Sequence, residues 1–431
     1  MYRFFAAVVR GEPRILRASA SKRRLSSSPL QPALDEEITV IIDEMTAEGV
    51  GIGRLPREGG AISVAVPLAL AGETVIARVF RYRDGHADAD LVRVQTPSPH
   101  RVEPRCVSFS QCSGCQFQHM AIAAQREWKR DVVTSLLAAS GIDATVNTVQ
   151  ADSQIYAYRS KISPHYDRPR RAEQLSIGFR RRGRRSVFDV DDCAIAPAPI
   201  NEALRTARAS IAASTAVTLP KNGATLLFRL CEEGVVTDMR ATVTERVGRF
   251  RFRFTAGGFF QTNPFVLPLL VQHVLCMADG HGCTALIDTY SGAGLFAISA
   301  ADRFESVCGV EVSQPAVSAA KRNASANNVD KVSFVEASSE AIFAQLPPHT
   351  FRPDATCVII DPPRKGCDQR FLDQLFAFLP RKIVYVSCEP KTQVRDAKLI
   401  VAAGYRVLDC TPFDMFPHTK HVENVMTFLR D

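Results

Sequence analysis

The sequence lacks three features that would each place it in a particular class of protein. No run of about 18 apolar residues occurs, because stretches such as VAVPLALAGETVIARVF are broken by proline, glycine and charges, so no membrane span is expected. The 12 cysteines are unevenly spaced and no secretory signal precedes them, which argues against a disulfide framework. We find no internal repeat. The cysteines therefore favour metal binding or catalysis in a reducing compartment.

Acidic residues are scarce in residues 1–34, where seven Lys or Arg stand against the single Glu12. This segment carries +6 of the formal net charge of +8, so the charge of the remainder is weak evidence for an anionic partner. Its arginine and serine content fits either an organellar transit peptide or a basic extension. We expect a cytoplasmic protein, with a mitochondrial location as the alternative if residues 1–34 are a transit peptide.

The remaining residues divide into three regions. Residues 35–104 alternate short β-rich runs with glycine turns, which predicts a small β-barrel of five strands. Residues 105–256 contain a tract, from Arg159 to Arg185, with ten Lys or Arg and only two acids, a pattern typical of either a solvated face or phosphate contacts. In residues 257–431 apolar strands alternate with helical stretches, which predicts an α/β, doubly wound sheet.

A glycine turn in the third region has the pattern of a nucleotide-binding loop. ALIDTYSGAGLFAISA predicts a strand, a turn and a helix, and Gly292 and Gly294 would let the backbone approach a ligand. Glu311 closes the next strand, where its carboxylate could accept hydrogen bonds from a ribose diol. On these residues alone, NAD and S-adenosylmethionine both remain open.

Two further strand ends carry reactive groups. CVIIDPPRKG places Asp361 at the carboxyl end of one strand, and YVSCEPKT places Cys388 at the end of the following strand. Ligands of open α/β sheets bind at that edge, so both side chains are expected at one site. An aspartate that merely turns the chain and an inert packed cysteine are the alternatives.

A separate set of cysteines has the spacing of a metal site. Cys106, Cys112 and Cys115 are separated by five and two residues, and Cys193 is a possible fourth ligand. His119 would give a zinc site with three cysteines and one histidine. The spacing does not decide between zinc and an iron–sulfur cluster.

Six motifs occur in an order that resembles the RNA uracil-C5 methyltransferase family, over residues 38–431: the three-plus-one cysteines, FFQTN, DTYSGAGLF, DPPRKG, YVSCEPKT and DMFPHTKHVE. The resemblance implies a TRAM domain as the barrel, a central iron–sulfur domain and a Rossmann-like class I methyltransferase domain. It also implies that Cys106, Cys112, Cys115 and Cys193 hold a four-iron four-sulfur cluster. The cluster cysteines resemble the branch that acts on 23S ribosomal RNA, with transfer RNA as the alternative substrate.

The resemblance further assigns roles to individual residues. It implies that Cys388 is the nucleophile that adds to uracil C6, and that Glu423 is the base. Phe259 would lie near the target base, and Asp361 between uracil and cofactor. The expected contacts with S-adenosylmethionine are Gln261, Asp288, Tyr290, Gly292, Gly294, Glu311 and Asp361. Two residues depart from the family pattern: Glu389 stands in place of the usual Asn, and Ser291 in place of a frequent Cys.

These residues fit the reaction, because uracil C5 is a poor nucleophile until a thiolate adds to C6. A carboxylate must then remove the C5 proton so that the thiol can leave. We expect a monomeric enzyme that acts on RNA. A nicotinamide-dependent oxidoreductase, which could use the same glycine loop, and a non-catalytic RNA-binding protein, which would keep the barrel and the basic tract, are the rival functions.

Overall fold

The computed structural model describes residues 32–57, 60–83, 85–167, 175–213, 223–337, 342–346 and 350–430. The predicted basic extension over residues 1–34 lies outside the described residues except for its last three. The same holds for residues 168–174 of the basic tract. Among the described helices, none has both the length and the apolar character needed to cross a membrane.

The first described region is a closed five-stranded barrel, as the alternating pattern predicts. Its strands are β1 (Glu37–Met45), β2 (Val50–Arg57), β3 (Gly60–Pro67), β4 (Thr74–Arg83) and β5 (His86–Thr96), paired in the order β1-β2-β3-β5-β4. Alternate residues of β1, which are Ile38, Val40 and Ile42, point into the barrel core. The period of two in the sequence therefore produces one apolar face per strand.

The middle region combines two helices with short antiparallel strands. Its elements are α1 (Ile122–Ala139), β6 (Lys161–Ile162), β7 (His165–Tyr166), β8 (Ile177–Arg180), β9 (Val187–Asp189), α2 (Ala198–Ala213), β10 (Ala224–Thr225), β11 (Phe228–Cys231), β12 (Gly234–Val236), β13 (Thr242–Val247) and β14 (Phe250–Thr255). Helix α1 is not confined to this region, because Val133 and Leu137 share an apolar core with the C-terminal sheet.

The C-terminal region contains the predicted sheet, which has seven strands among the described residues. These are β15 (Ala285–Thr289), β16 (Ser306–Glu311), β17 (Val332–Glu336), β18 (Thr356–Ile360), β19 (Lys382–Ser387), β20 (Tyr405–Phe413) and β21 (Glu423–Arg430). The helices are α3 (Leu267–Ala278), α4 (Leu295–Ala300), α5 (Gln314–Ala326), α6 (Gln369–Phe378) and α7 (Pro390–Ala402).

The strand order positions the site. Among the described residues the order is β17-β16-β15-β18-β19-β21-β20, with β15 to β19 parallel and β21 antiparallel to both of its neighbours. The chain moves outward in one direction from β15 to β17 and then returns to the other side of β15 with β18. Such a reversal opens a crevice at the carboxyl ends of the strands. Leu286 and Ile287 pack into separate apolar cores, one on each face of the sheet.

Candidate active site

A cavity of about 660 Å³ lies at the carboxyl ends of the parallel strands. It is lined by residues that follow or close β15, β16, β18 and β19, and by the first residue of β21. Eight of the ten predicted catalytic, cofactor and substrate residues line it: Phe259, Gln261, Tyr290, Gly292, Glu311, Asp361, Cys388 and Glu423. The fold therefore brings together residues that are up to 164 positions apart in the chain.

The glycine loop after β15 forms one wall of the cavity. Tyr290 and Gly292 have positive φ angles of 61° and 54°, and both residues line the cavity. Gly294 has a φ of 91° and begins α4, but it does not line the cavity. A Cβ on Gly294 would lie 2.9 Å from the Phe334 ring, so close packing requires glycine there.

Asp288 is placed behind this loop rather than at the cavity. Its side chain is 1% exposed, and its Oδ2 accepts a hydrogen bond of 2.8 Å from the backbone N–H of Ala297. Burial raises the pKa of Asp288 to about 8, against the opposing effect of that hydrogen bond. Asp288 therefore fixes the first turn of α4 to β15, and direct contact of Asp288 or Gly294 with a cofactor stays a prediction.

Glu311 closes β16 and faces the cavity from beside the loop. Its two carboxylate oxygens accept hydrogen bonds from the backbone N–H groups of Gly292, at 3.0 Å, and Ser313, at 2.8 Å. A carboxylate offers about four acceptor positions, so two remain for a ligand hydroxyl pair. The arrangement fits the predicted ribose contact.

The opposite end of the cavity holds the side chains that are predicted to react. Cys388 follows β19, and burial together with the nearby Glu423 and Asp361 carboxylates raises the pKa of its thiol to about 11. Glu423 is 1% exposed; burial and then the Asp361 charge raise its pKa well above the usual range. Arg364 opposes both shifts, and it forms a hydrogen bond with Cys388.

Arg364 is a candidate functional side chain that sequence reasoning missed. It belongs to the quoted motif DPPRKG, but only Asp361 of that motif was assigned a role. In the structure Arg364 lines the cavity beside Cys388 and Glu423. A cation within a group of two carboxylates and a thiol is the signal that could have identified it.

A second cavity, of about 580 Å³, adjoins the first and contains the predicted cluster cysteines. Cys106, Cys112, Cys115 and Cys193 all line it. The two cavities share the walls formed by Phe259, Gln261, Arg364 and Phe416. Phe259 is 84% exposed at their common rim, where an unstacked base could pack against it.

The Arg182 guanidinium holds the segment that carries Cys112 and Cys115, which we call the cysteine loop. Arg182 donates hydrogen bonds to the carbonyl oxygens of Cys112, at 3.0 Å, and Cys115, at 2.7 Å. This residue of the basic tract therefore acts locally, whereas Arg159 and Lys161 of the tract line the cavity itself. Some cations of the tract therefore stabilise the cysteine loop, and others place positive charge at the cavity.

The four thiols form a sulfur-only donor set of the kind that iron–sulfur clusters use. All four are free cysteines. Within the described residues, however, no group of three or more His, Cys, Asp or Glu side chains has an arrangement that could hold a metal ion. The cluster is therefore not shown. His119, the alternative zinc ligand, does not line the cysteine cavity, and its ring packs against Phe109 with centroids 5.2 Å apart.

Comparison with known proteins identifies relatives of the whole chain. The model of the tRNA (uracil-5-)-methyltransferase family matches residues 231–430. A tRNA (uracil(54)-C(5))-methyltransferase of Schizosaccharomyces pombe is 36% identical over 92% of this chain and 78% of the relative. A 23S rRNA (uracil(1939)-C(5))-methyltransferase of Marinomonas sp. is 28% identical over 95% of this chain and 99% of the relative.

A solved structure is similar over nearly the same length. It is the Pyrococcus abyssi tRNA (uracil-54, C5)-methyltransferase in complex with S-adenosyl-L-homocysteine, with a TM-score of 0.71 and 25% sequence identity. The similarity covers 91% of this chain and 99% of that one. The comparison therefore includes the barrel and the middle region as well as the sheet.

Proposed function

This chain belongs to the tRNA (uracil-5-)-methyltransferase family, and from that premise we propose how it methylates a uridine in RNA. It is an enzyme that transfers a methyl group from S-adenosylmethionine to uracil C5. The observation that carries the proposed mechanism is that Cys388 and Glu423 share one cavity with the glycine loop and Glu311. The family favours this function over a nicotinamide oxidoreductase and over a non-catalytic RNA-binding protein.

The cofactor lies, in this proposal, along the glycine-loop wall of the cavity. Glu311 would accept hydrogen bonds from the ribose hydroxyls, the Gly292 backbone would allow close approach, and Gln261 and Asp361 would complete the contacts with the cofactor. When bound, S-adenosylmethionine supplies an electrophilic methyl group.

The covalent step belongs to Cys388. Its thiolate adds to uracil C6, and the electron pair of the C5–C6 bond moves onto C5 and its carbonyl group, so that C5 becomes nucleophilic. Arg364, which hydrogen-bonds Cys388, stabilises the thiolate. Phe259 packs against the extruded uracil at the rim.

The release step belongs to Glu423. After C5 has been methylated, the Glu423 carboxylate takes the C5 proton, the C5–C6 double bond forms again and the C6–sulfur bond breaks. A raised pKa makes this carboxylate a stronger base than an exposed glutamate. Transfer of this proton from Glu423 to the sulfur then restores the resting thiol, and the proton that the Cys388 thiol gives up before its addition is the one that each turnover releases to solvent.

Two RNA classes are candidates for the substrate. The three-plus-one cysteines favour 23S ribosomal RNA by resemblance, and the Marinomonas relative carries that name. The Schizosaccharomyces pombe relative, which has the higher identity, and the Pyrococcus abyssi structure favour transfer RNA. Each candidate therefore has a specific observation behind it.

The test is methyl transfer from labelled S-adenosylmethionine to protein-free ribosomal RNA and to transfer RNA in parallel, with mass-spectrometric mapping of the product. 5-Methyluridine in one fraction identifies the substrate class, and Cys388→Ala should abolish the signal. Absence of 5-methyluridine from both fractions, with wild-type protein that binds S-adenosylhomocysteine, would contradict the proposed function.

We also propose that Cys106, Cys112, Cys115 and Cys193 hold a four-iron four-sulfur cluster. Support comes from their shared cavity and from the sulfur-only donor set that they provide. Protein purified anaerobically should contain iron and acid-labile sulfide, and Cys193→Ala should lose both. Zinc without iron would overturn the assignment.

The domain organisation, the oligomeric state and the cellular location of the protein also remain predictions. The TRAM identity of the barrel is a proposal that its closed strand order supports, and the boundaries at residues 34, 104 and 256 are proposals as well. The monomeric state and the cytoplasmic location are also proposals. Fluorescent fusions with and without residues 1–34 would test the location.

A further inference from the structure

Helix α7 begins two residues after Cys388 and contacts the loop that carries Asp361 and Arg364. That loop, residues 361–367, connects β18 to the segment before α6. The first half of α7 presents Thr392, Arg395 and Asp396 to it. The nucleophile and its neighbouring cation are therefore held by a single helix.

The Asp396 carboxylate is the centre of these contacts. It is 1% exposed, and its Oδ2 accepts hydrogen bonds from the Cys367 backbone N–H, at 2.9 Å, and from the Tyr385 hydroxyl, at 2.8 Å. Its Oδ1 accepts two hydrogen bonds from the Arg395 guanidinium, at 2.8 and 2.7 Å. One buried carboxylate thus joins the 361–367 loop, strand β19 and helix α7.

Two neighbouring side chains extend the same connection. Arg395 donates to the carbonyl oxygens of Lys365, at 3.1 Å, and Cys367, at 3.2 Å. The Thr392 hydroxyl lies 2.9 Å from the Arg364 carbonyl oxygen and 3.0 Å from the Glu389 carbonyl oxygen. Thr392 therefore ties the residue after Cys388 directly to Arg364.

Gly366 shows how closely the loop packs on the helix. Its φ is 76°, and a Cβ there would lie 2.6 Å from both Arg395 Nη2 and Asp396 Oδ2. A residue with a side chain would have to push the loop off α7 or displace the carboxylate. The contact tolerates little displacement.

We propose that Asp396 is a positioning residue of the active site, which fixes Arg364 and Asp361 relative to Cys388 by joining their loop to β19 and α7. The proposal rests on the proposed function, because it names what holds that site in place. A shift of about 1 Å in a reacting group can cost on the order of 100-fold in rate. Arg364 stays beside Cys388 only while the 361–367 loop keeps its contacts with α7.

The test compares Asp396→Asn with wild type and with Lys398→Gln, an exposed α7 residue. The amide keeps the size of the side chain but places an N–H₂ group where one oxygen now accepts hydrogen bonds. We expect kcat for methyl transfer to fall ~10- to 100-fold and the affinity for S-adenosylhomocysteine to fall by a smaller factor, because Asp361 is the one proposed cofactor contact that lies on the 361–367 loop. We also expect the pH profile of Cys388 alkylation, followed by mass spectrometry of its peptide, to move to higher pH. Lys398→Gln should match wild type in every measurement.

Thr392→Val keeps the test decisive if Asp396→Asn fails to fold. It removes one hydroxyl at nearly constant volume and should reproduce the same changes to a smaller degree. Unchanged kcat and an unchanged Cys388 alkylation profile in a folded variant would overturn the proposal. Alkylation needs no RNA, so a wild-type protein without methyl transfer would refute the proposed function while the alkylation profiles still decide the role of Asp396.

Discussion

At the residue scale, the surroundings of Cys388 oppose ionisation of its own thiol. Burial and the Glu423 and Asp361 carboxylates raise the pKa, and only Arg364 acts in the other direction. A thiol with a pKa of about 11 is almost entirely protonated at neutral pH. In the free enzyme Cys388 is therefore largely a thiol, the form that resists oxidation and alkylation.

The first prediction follows from this pKa. Alkylation of Cys388 in the free enzyme should accelerate ~10-fold per pH unit between pH 7 and 9, because the thiolate fraction grows by that factor below the pKa. Glu423→Gln should speed alkylation at fixed pH, since it removes a negative charge from beside the sulfur. Peptide mass spectrometry after timed alkylation measures both effects. A rate that levels off below pH 8 would contradict the raised pKa.

The second prediction separates the roles of Cys388 and Glu423. Glu423→Gln should accumulate a covalent protein–RNA complex, because the addition and methylation steps are intact while the C5 proton is retained. The complex should survive denaturing electrophoresis, and turnover should fall ~100-fold or more. Cys388→Ala should form no complex. Loss of turnover in Glu423→Gln without any complex would mean that Glu423 acts before the addition of the thiol.

At the element scale, α3 ends against a buried cation. Lys382 is the first residue of β19 and is fully buried. Its Nζ lies within hydrogen-bonding distance of the carbonyl oxygens of four successive residues, 277–280, at the end of the helix. Helix C-termini leave these carbonyl oxygens without partners inside the helix, and they favour positive charge. The lysine thus joins α3 to the central sheet.

The third prediction is that Lys382→Met destabilises the protein by about 1–3 kcal/mol, because the buried carbonyl oxygens lose their donor. Chemical denaturation would measure the change in the free energy of unfolding. Lys398→Met, on the exposed side of α7, is the matched control and should change it by less than about 0.5 kcal/mol. Equal effects at the two positions would show that the buried ammonium contributes nothing specific.

The elements of the sheet could be predicted from the sequence, but part of the site could not. Continuous apolar runs identify the strands, and parallel strands place Asp361 and Cys388 at one edge. Glu423 is the first residue of an antiparallel strand, so the rule that ligands bind at the carboxyl ends of parallel strands does not predict its position. Only the motif DMFPHTKHVE pointed to it. Asp288 shows the remaining gap, because the sequence does not reveal that its carboxylate faces α4 rather than the cavity.

At the scale of the whole molecule, the middle region holds the segment that leads into Glu423. Helix α1 contributes Lys129, which is fully buried and donates to Asp414 Oδ1 at 2.6 Å and to the Phe416 carbonyl oxygen at 3.0 Å. Gln125 of α1 also accepts a hydrogen bond from the His418 backbone N–H at 2.9 Å.

The cysteine loop contacts the same segment, since the backbone N–H of Gln116 donates to the His418 carbonyl oxygen. The position of Glu423, the proposed base, therefore depends on contacts from outside its own sheet.

The last prediction tests that dependence. Lys129→Met should cost about 3–5 kcal/mol, because it leaves Asp414 buried beside only the more distant Arg126, whose Nε is 3.4 Å away. Lys129→Met combined with Asp414→Asn should be less destabilised than the single variant, since no buried charge then lacks its partner. Glu127→Gln, exposed on α1, is the control for the helix itself.

Denaturation and methyl transfer should both be measured on wild type and on the three variants: Lys129→Met, Lys129→Met with Asp414→Asn, and Glu127→Gln. If the contacts position Glu423, the double variant should recover stability but not the full rate, because it lacks the ion pair between α1 and the segment that leads into the base. A double variant with both wild-type stability and wild-type rate would mean that α1 only fills space against the sheet. A rate that falls while stability is recovered would assign to the middle region a direct part in orienting the catalytic base.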